Sequence, residues 1–140
     1  MIRRVNHIAI AVPDLEAASA TYRRLGVTVS ESQELPEHGV RVSFLEFDNL
    51  KLELVEALGD ASPIQRFIEK NPAGGIHHVC FEVEGLGPVT TVLRESGIRV
   101  LGSGEPKIGA HGNPVIFAHP SDLFGVLTEF EEVPATNSFC

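Results

Sequence analysis

Cysteine is almost absent from this chain: Cys80, inside an apolar run, and Cys140, the last residue, are the two it has. That excludes a disulfide framework and the paired-cysteine spacing of a structural zinc site. Cys80 is expected to be core packing, and Cys140 to end a disordered tail over residues 134–140. Basic residues are scarce as well. Eleven of them face 19 acidic residues, for a net charge of −8. Broad nucleic-acid binding needs a basic face and is excluded; a phosphorylated small molecule, met by a few local cations, is not. No apolar run approaches the length of a membrane span. A strand begins almost at once after Met1-Ile2-Arg3-Arg4, which leaves no stretch for a secretory or transit segment, so a cytoplasmic protein is expected. What is present is 140 residues at 43% hydrophobic, enough for one globular domain over 1–140 with a shared core.

The interior of that domain is written twice. His7-Ile8-Ala9-Ile10-Ala11-Val12 returns as His78-Val79-Cys80-Phe81-Glu82-Val83, and the two copies run in register without a gap for 23 positions at an offset of 78 − 7 = 71. Leu15 falls on Leu86, Arg23 on Arg94, Gly26 on Gly97 and Val29 on Val100. Two copies are too few for a solenoid; they are expected to pair around one core. In the first copy the alternation over 5–12 predicts a strand. Asp14 is placed to cap a helix carrying Leu15, Ala18, Tyr22 and Leu25, and Gly26 stops it. Strands are predicted over 27–31, 40–47 and 50–56, with a loop at Glu34 to Gly39 and a turn at Asp48-Asn49. Ser62-Pro63 opens a short connector helix with Ile64, Phe67 and Ile68 on one face, and Asn71-Pro72 ends it. The second copy predicts a strand at 77–83, a helix near 87–96, and strands at 98–101, 114–118 and 125–131. Between 102 and 114 lies a glycine-rich stretch with no hydrophobic period, the kind of loop that often binds ligands. The expected fold class is α+β: two βαβββ modules, about 1–58 and 75–133, joined by a connector at about 62–72.

Each module opens with a histidine and ends on a strand with a glutamate: His7 and Glu53, then His78 and Glu129. A histidine opening a strand is ordinarily just a half-buried polar residue, and a glutamate near a strand end is ordinarily solvated. Here all four occupy corresponding places in two copies of one unit. If the modules pair about a pseudo-twofold axis, the four converge as a metal site. Two imidazoles and two carboxylates suit Co²⁺, Mn²⁺, Ni²⁺ or Zn²⁺ better than Ca²⁺ or Mg²⁺. Adjacent strand residues face opposite ways, so His77 points away if His78 points in. His38 and His119 have no counterpart in the repeat; His38 is expected to be a loop residue and His119, at a hairpin turn, to be structural. His111, in the glycine-rich loop, is a candidate for substrate contact.

The chain resembles the vicinal oxygen chelate superfamily over essentially its whole length, up to about Glu132. Within that superfamily it is similar to the methylmalonyl-CoA epimerase family. The stretches that carry the resemblance are Asn6 to Leu15, Pro36-Glu37-His38-Gly39-Val40, Ser62-Pro63-Ile64, Lys70 to His78 and Lys107 to Phe117. The resemblance implies a sheet cupped like an incomplete barrel around a metal, with His7, Glu53, His78 and Glu129 as ligands and cobalt as the usual activating ion. It implies a homodimer acting on a CoA thioester in propionyl-CoA breakdown. Epimerising C2 means removing a proton α to a thioester and returning one to the other face, so negative charge accumulates on the thioester oxygen. A cation there stabilises that charge, and one base is needed per face. Glu53 and Glu129 are the candidates, and Lys107, His111 and Gly112 are expected to meet the substrate. The further carboxylate some members carry after the Pro-Glu-His-Gly loop is missing from Val40-Arg41-Val42-Ser43. His119-Pro120-Ser121 stands where the family often has a lysine in third place. Two other readings remain open: a glyoxalase I-type lactoylglutathione lyase, which uses a similar ligand set, and a non-catalytic small-molecule binder.

Overall fold

The structure, a computed structural model, describes residues 1–134. Apart from Pro134, the expected tail and its Cys140 lie outside the described residues. The described residues form eight strands: β1 (Ile2–Ala11), β2 (Gln33–Leu35), β3 (Val40–Glu46), β4 (Lys51–Ala57), β5 (Gly75–Val83), β6 (Lys107–Ile108), β7 (Pro114–Ala118) and β8 (Thr128–Glu132). The same described residues form three α-helices: α1 (Leu15–Arg24), α2 (Pro63–Lys70) and α3 (Leu86–Glu95). The hydrogen-bonded order is β2-β3-β4-β1-β5-β8-β7-β6. By contacts the chain divides into His7–His77 and a second unit made of Met1–Asn6 with the chain from His78 onward.

In the first unit β1 pairs parallel with β4, and β3 runs antiparallel between β4 and β2. Parallel neighbours need a crossover, and α1 supplies it. Its N-cap Asp14 accepts from the Ala17 amide at 3.1 Å, as its short carboxylate allows. Leu15 then packs with Val12, Val29, Leu45 and Leu54, while Ile10, Tyr22 and Leu52 border them. That places the even-numbered residues of β4 under the helix. Glu53 and Val55, by alternation, take the other face. Connector α2 is capped by Ser62, whose hydroxyl accepts from the Ile64 amide at 3.2 Å. Gly74 then brings the chain so close to β1 that a Cβ there would lie 2.5 Å from the Ala11 carbonyl oxygen, and its φ is +95°.

The second unit repeats the plan. β5 pairs parallel with β8, and β7 runs antiparallel between β8 and β6. Val83, Leu86, Val89, Leu93, Ile116, Ala118 and Phe130 form its core, with α3 over them. Cys80 is fully buried, as its sequence context predicts.

Two expected strands contract to single bridges, Val29 with Leu45 and Val100 with Ala118. In each, a side chain takes a bond that the ladder would use. The Phe44 amide donates to the Ser30 hydroxyl, and the Arg99 amide to the Asp122 carboxylate. The second strand of each module comes later instead, as β2 and β6. The 102–114 stretch is thus only partly a loop, since Lys107 and Ile108 pair with Val115 and Pro114. The last strand starts at Thr128 rather than 125, because Phe124 and Gly125 both take positive φ and turn the chain.

Candidate active site

The parallel ladders position the expected ligands. In the first unit Ala9 is the register partner of Glu53; in the second, Cys80 is the partner of Glu129. The glutamate therefore enters beside the strand that carries the histidine, two residues along from it. His7 Nε2 lies 3.4 Å from Glu53 Oε1, and His78 Nε2 lies 3.1 Å from Glu129 Oε1. All four side chains are buried. Each imidazole also meets a phenylalanine edge-on: His7 meets Phe44 with centroids 6.0 Å apart, and His78 meets Phe117 at 5.3 Å. Each phenylalanine is the antiparallel register partner of the glutamate, Phe44 of Glu53 and Phe117 of Glu129. A histidine–glutamate–phenylalanine unit is thus built twice.

These pairs fit a divalent cation. Two donors bound at right angles to one ion, each about 2.1 Å from it, stand about 3 Å apart, close to both observed spacings. Imidazole nitrogen and carboxylate oxygen held away from water are the donors of a transition-metal site.

The second unit adds what the sequence reading missed. Glu129 and Glu131 alternate on β8 and so share a face, and Glu131 is 3% exposed. His111 Nδ1 lies 3.2 Å from Glu131 Oε1, the Asn113 amide donates to Oε2 at 2.8 Å, and Cys80 Sγ is 3.9 Å away. Burial pushes the Glu131 carboxyl up, and the charge of Glu129 adds to that. The bonds from His111 and Asn113 outweigh both and hold it below the usual carboxylate range. Glu82, the register partner of Glu131, is also buried and accepts from Asn6 at 2.8 Å, with Arg4 Nε 3.2 Å away. The period-two pattern Glu129-Phe130-Glu131 was the signal available for Glu131.

Of the other expected residues, Lys107 lies exposed on β6, and Gly112 is exposed in the 109–113 turn with φ +79°. His77 points away from His78's face and meets Phe67 edge-on at 5.2 Å. His119 caps a short helical turn, its Nδ1 accepting from the Ser121 amide at 3.0 Å, and His38 ends a single turn over Pro36–His38.

Residues 6–117 match the model of the glyoxalase/bleomycin resistance protein/dioxygenase superfamily. A protein of Cereibacter sphaeroides described as ethylmalonyl-CoA/methylmalonyl-CoA epimerase is 60% identical over 134 residues, 95% of this chain and 100% of that one. The chain belongs to the methylmalonyl-CoA epimerase family. The human mitochondrial methylmalonyl-CoA epimerase is 55% identical to it over 92% of this chain and 73% of its own length. A solved methylmalonyl-CoA epimerase in complex with methylmalonyl-CoA and NH4+ superposes with a TM-score of 0.88 at 32% identity, covering 96% of this chain and 97% of that one. A variant of the Streptomyces coelicolor epimerase bound to 2-nitronate-propionyl-CoA gives the same score and coverage. The mixed sheet and three helices are those of these epimerases, as the α+β, two-module expectation requires.

Proposed function

We infer that this chain is an isomerase that interconverts (R)- and (S)-methylmalonyl-CoA, by taking the C2 proton from one face and returning one to the other. The observation that carries this is the buried histidine–glutamate pair built twice, at 3.4 and 3.1 Å, in a chain 60% identical to a curated epimerase. His7, Glu53, His78 and Glu129 are proposed to hold one divalent ion, with cobalt first among Co²⁺, Mn²⁺, Ni²⁺ and Zn²⁺. When bound, the ion supplies Lewis-acid stabilisation of the negative charge that develops on the thioester oxygen. Glu129 and Glu53 are the proposed bases for the two faces. Each is a carboxylate beside the histidine-bearing strand of its own module, so the two modules offer one candidate base apiece. Phe44 and Phe117 hold the imidazoles edge-on and keep water from them. Lys107, His111 and Gly112, all on the β6–β7 hairpin, are proposed to meet the CoA ester. Residues 1–140 are proposed to act as one domain, in a cytoplasmic homodimer serving propionyl-CoA breakdown.

Relatives at this identity give no support to the lyase or the passive binder. The test is exchange of the C2 proton with deuterium oxide, measured on methylmalonyl-CoA after metals are stripped and added back singly. Restored exchange with cobalt is expected. Turnover of the glutathione–methylglyoxal hemithioacetal, with no C2 exchange under any metal, would overturn the reading.

A further inference from the structure

The two modules diverge at one pair of positions on the face that carries the site glutamates. In the first unit Ala11 and Val55 are register partners, both buried and apolar. Their counterparts, by the offsets that take Ala9 to Cys80 and Glu53 to Glu129, are Glu82 and Glu131, also register partners and also buried. Hydrocarbon at that place fills space at no electrostatic cost. Two carboxylates there must each be taken out of water, so packing alone does not account for them. Each is offset by its own donors. Those of Glu82 come from β1 and brace two strands. Those of Glu131 come from a turn: His111 and Asn113 bond to separate oxygens of one carboxylate. That turn is otherwise closed by two backbone bonds, Gly109 to Asn113 at 2.9 Å and Gly112 to Gly109 at 3.1 Å.

We propose that Glu131 is a positioning residue for the proton transfer, holding the 109–113 turn, and with it the His111 ring, against the face of β8 that carries Glu129. The inference rests on the epimerase reading. Glu129 and Glu131 point the same way, so whatever Glu131 tethers is tethered on the side where C2 must lie for Glu129 to reach it. A turn fixed at both His111 and Asn113 closes that side without reorganising at each turnover.

The test compares Glu131→Val, which installs the first module's residue, with Glu131→Gln, which keeps the shape and one acceptor oxygen. Two quantities are read: hydrogen exchange of the 109–113 backbone amides, and kcat and KM for methylmalonyl-CoA. In Glu131→Val the turn amides should lose protection and kcat should fall about 10- to 100-fold, with KM changing less. Glu131→Gln should recover part of both. The loss in the His111→Ala/Glu131→Val double variant should fall well short of the product of the two single losses, because the carboxylate acts in part through the ring. Freed amides with unchanged kcat, or losses that multiply in the double variant, overturn the proposal. A wild-type protein inactive on methylmalonyl-CoA would sink the epimerase reading instead. The amide exchange, which needs no substrate, would still show whether Glu131 holds the turn.

Discussion

Glu129 stands between two kinds of neighbour, an imidazole 3.1 Å away and a second carboxylate two residues along its own strand. Replacing it by glutamine keeps the volume and removes the base. Glu129→Gln should lower C2 exchange with solvent deuterium by about 10²–10⁴-fold while the far-ultraviolet dichroism stays that of the wild type. Exchange near the wild-type rate would remove Glu129 from the chemistry. The two histidines were legible in the sequence because 71 residues separate them without a gap in the repeat. The glutamates were legible from strand position. The phenylalanines were not: Phe44 to Phe117 is 117 − 44 = 73, whereas Glu53 to Glu129 is 129 − 53 = 76. Loops of unequal length between the strands change the offset, and an ungapped comparison cannot follow it. Only the ladder shows that each aromatic opposes its glutamate.

The same symmetry governs how the crossover helices begin. Glu56 accepts from the Leu15 amide at 3.0 Å, and Glu132 from the Leu86 amide at 2.8 Å. Helix α1 has Asp14 as well, whereas α3 starts from Gly85, which has no side chain to offer. Glu132→Ala should therefore cost about 1–2 kcal/mol in urea unfolding, and Asp14→Ala less, since Glu56 remains to satisfy the same helix end. Periodicity placed apolar residues at 27–31 and 98–101 correctly against the core, with Val29 buried and Val100 bordering the second core. It could not register that Ser30 and Asp122 would claim amides needed for a ladder. Asp122 receives three bonds from Arg99, from the backbone amide and the guanidinium, and these hold its carboxyl down at about 2. A depressed folded-state value means that its stabilisation is present above the ordinary carboxylate range and fades as pH falls from about 4 towards 2. Acid unfolding of Asp122→Asn should accordingly show a shallower loss over that window than the wild type. Parallel curves would mean the contact contributes nothing. Where β5 begins, Gly74→Ala should destabilise by at least about 1–3 kcal/mol in the same urea assay, because the new methyl meets a carbonyl oxygen at 2.5 Å with φ already positive.

At the scale of the whole chain, a cation bound to the folded state adds to its stability by mass action, about 2.7 kcal/mol at a hundred times Kd. Chelation should therefore lower the melting temperature and abolish C2 exchange together, and cobalt should restore both. Among the described residues no helix is long and apolar enough to cross a membrane.

The sequence repeat and the contact units do not coincide, since the first six residues belong with the chain beyond His78. Glu82 draws its donors, Arg4 and Asn6, from that short opening stretch. Severing the protein at its connector would not yield two self-sufficient halves. The later fragment would keep the Glu82 carboxylate in its interior and leave behind, with the opening strand, the two side chains that hold it there.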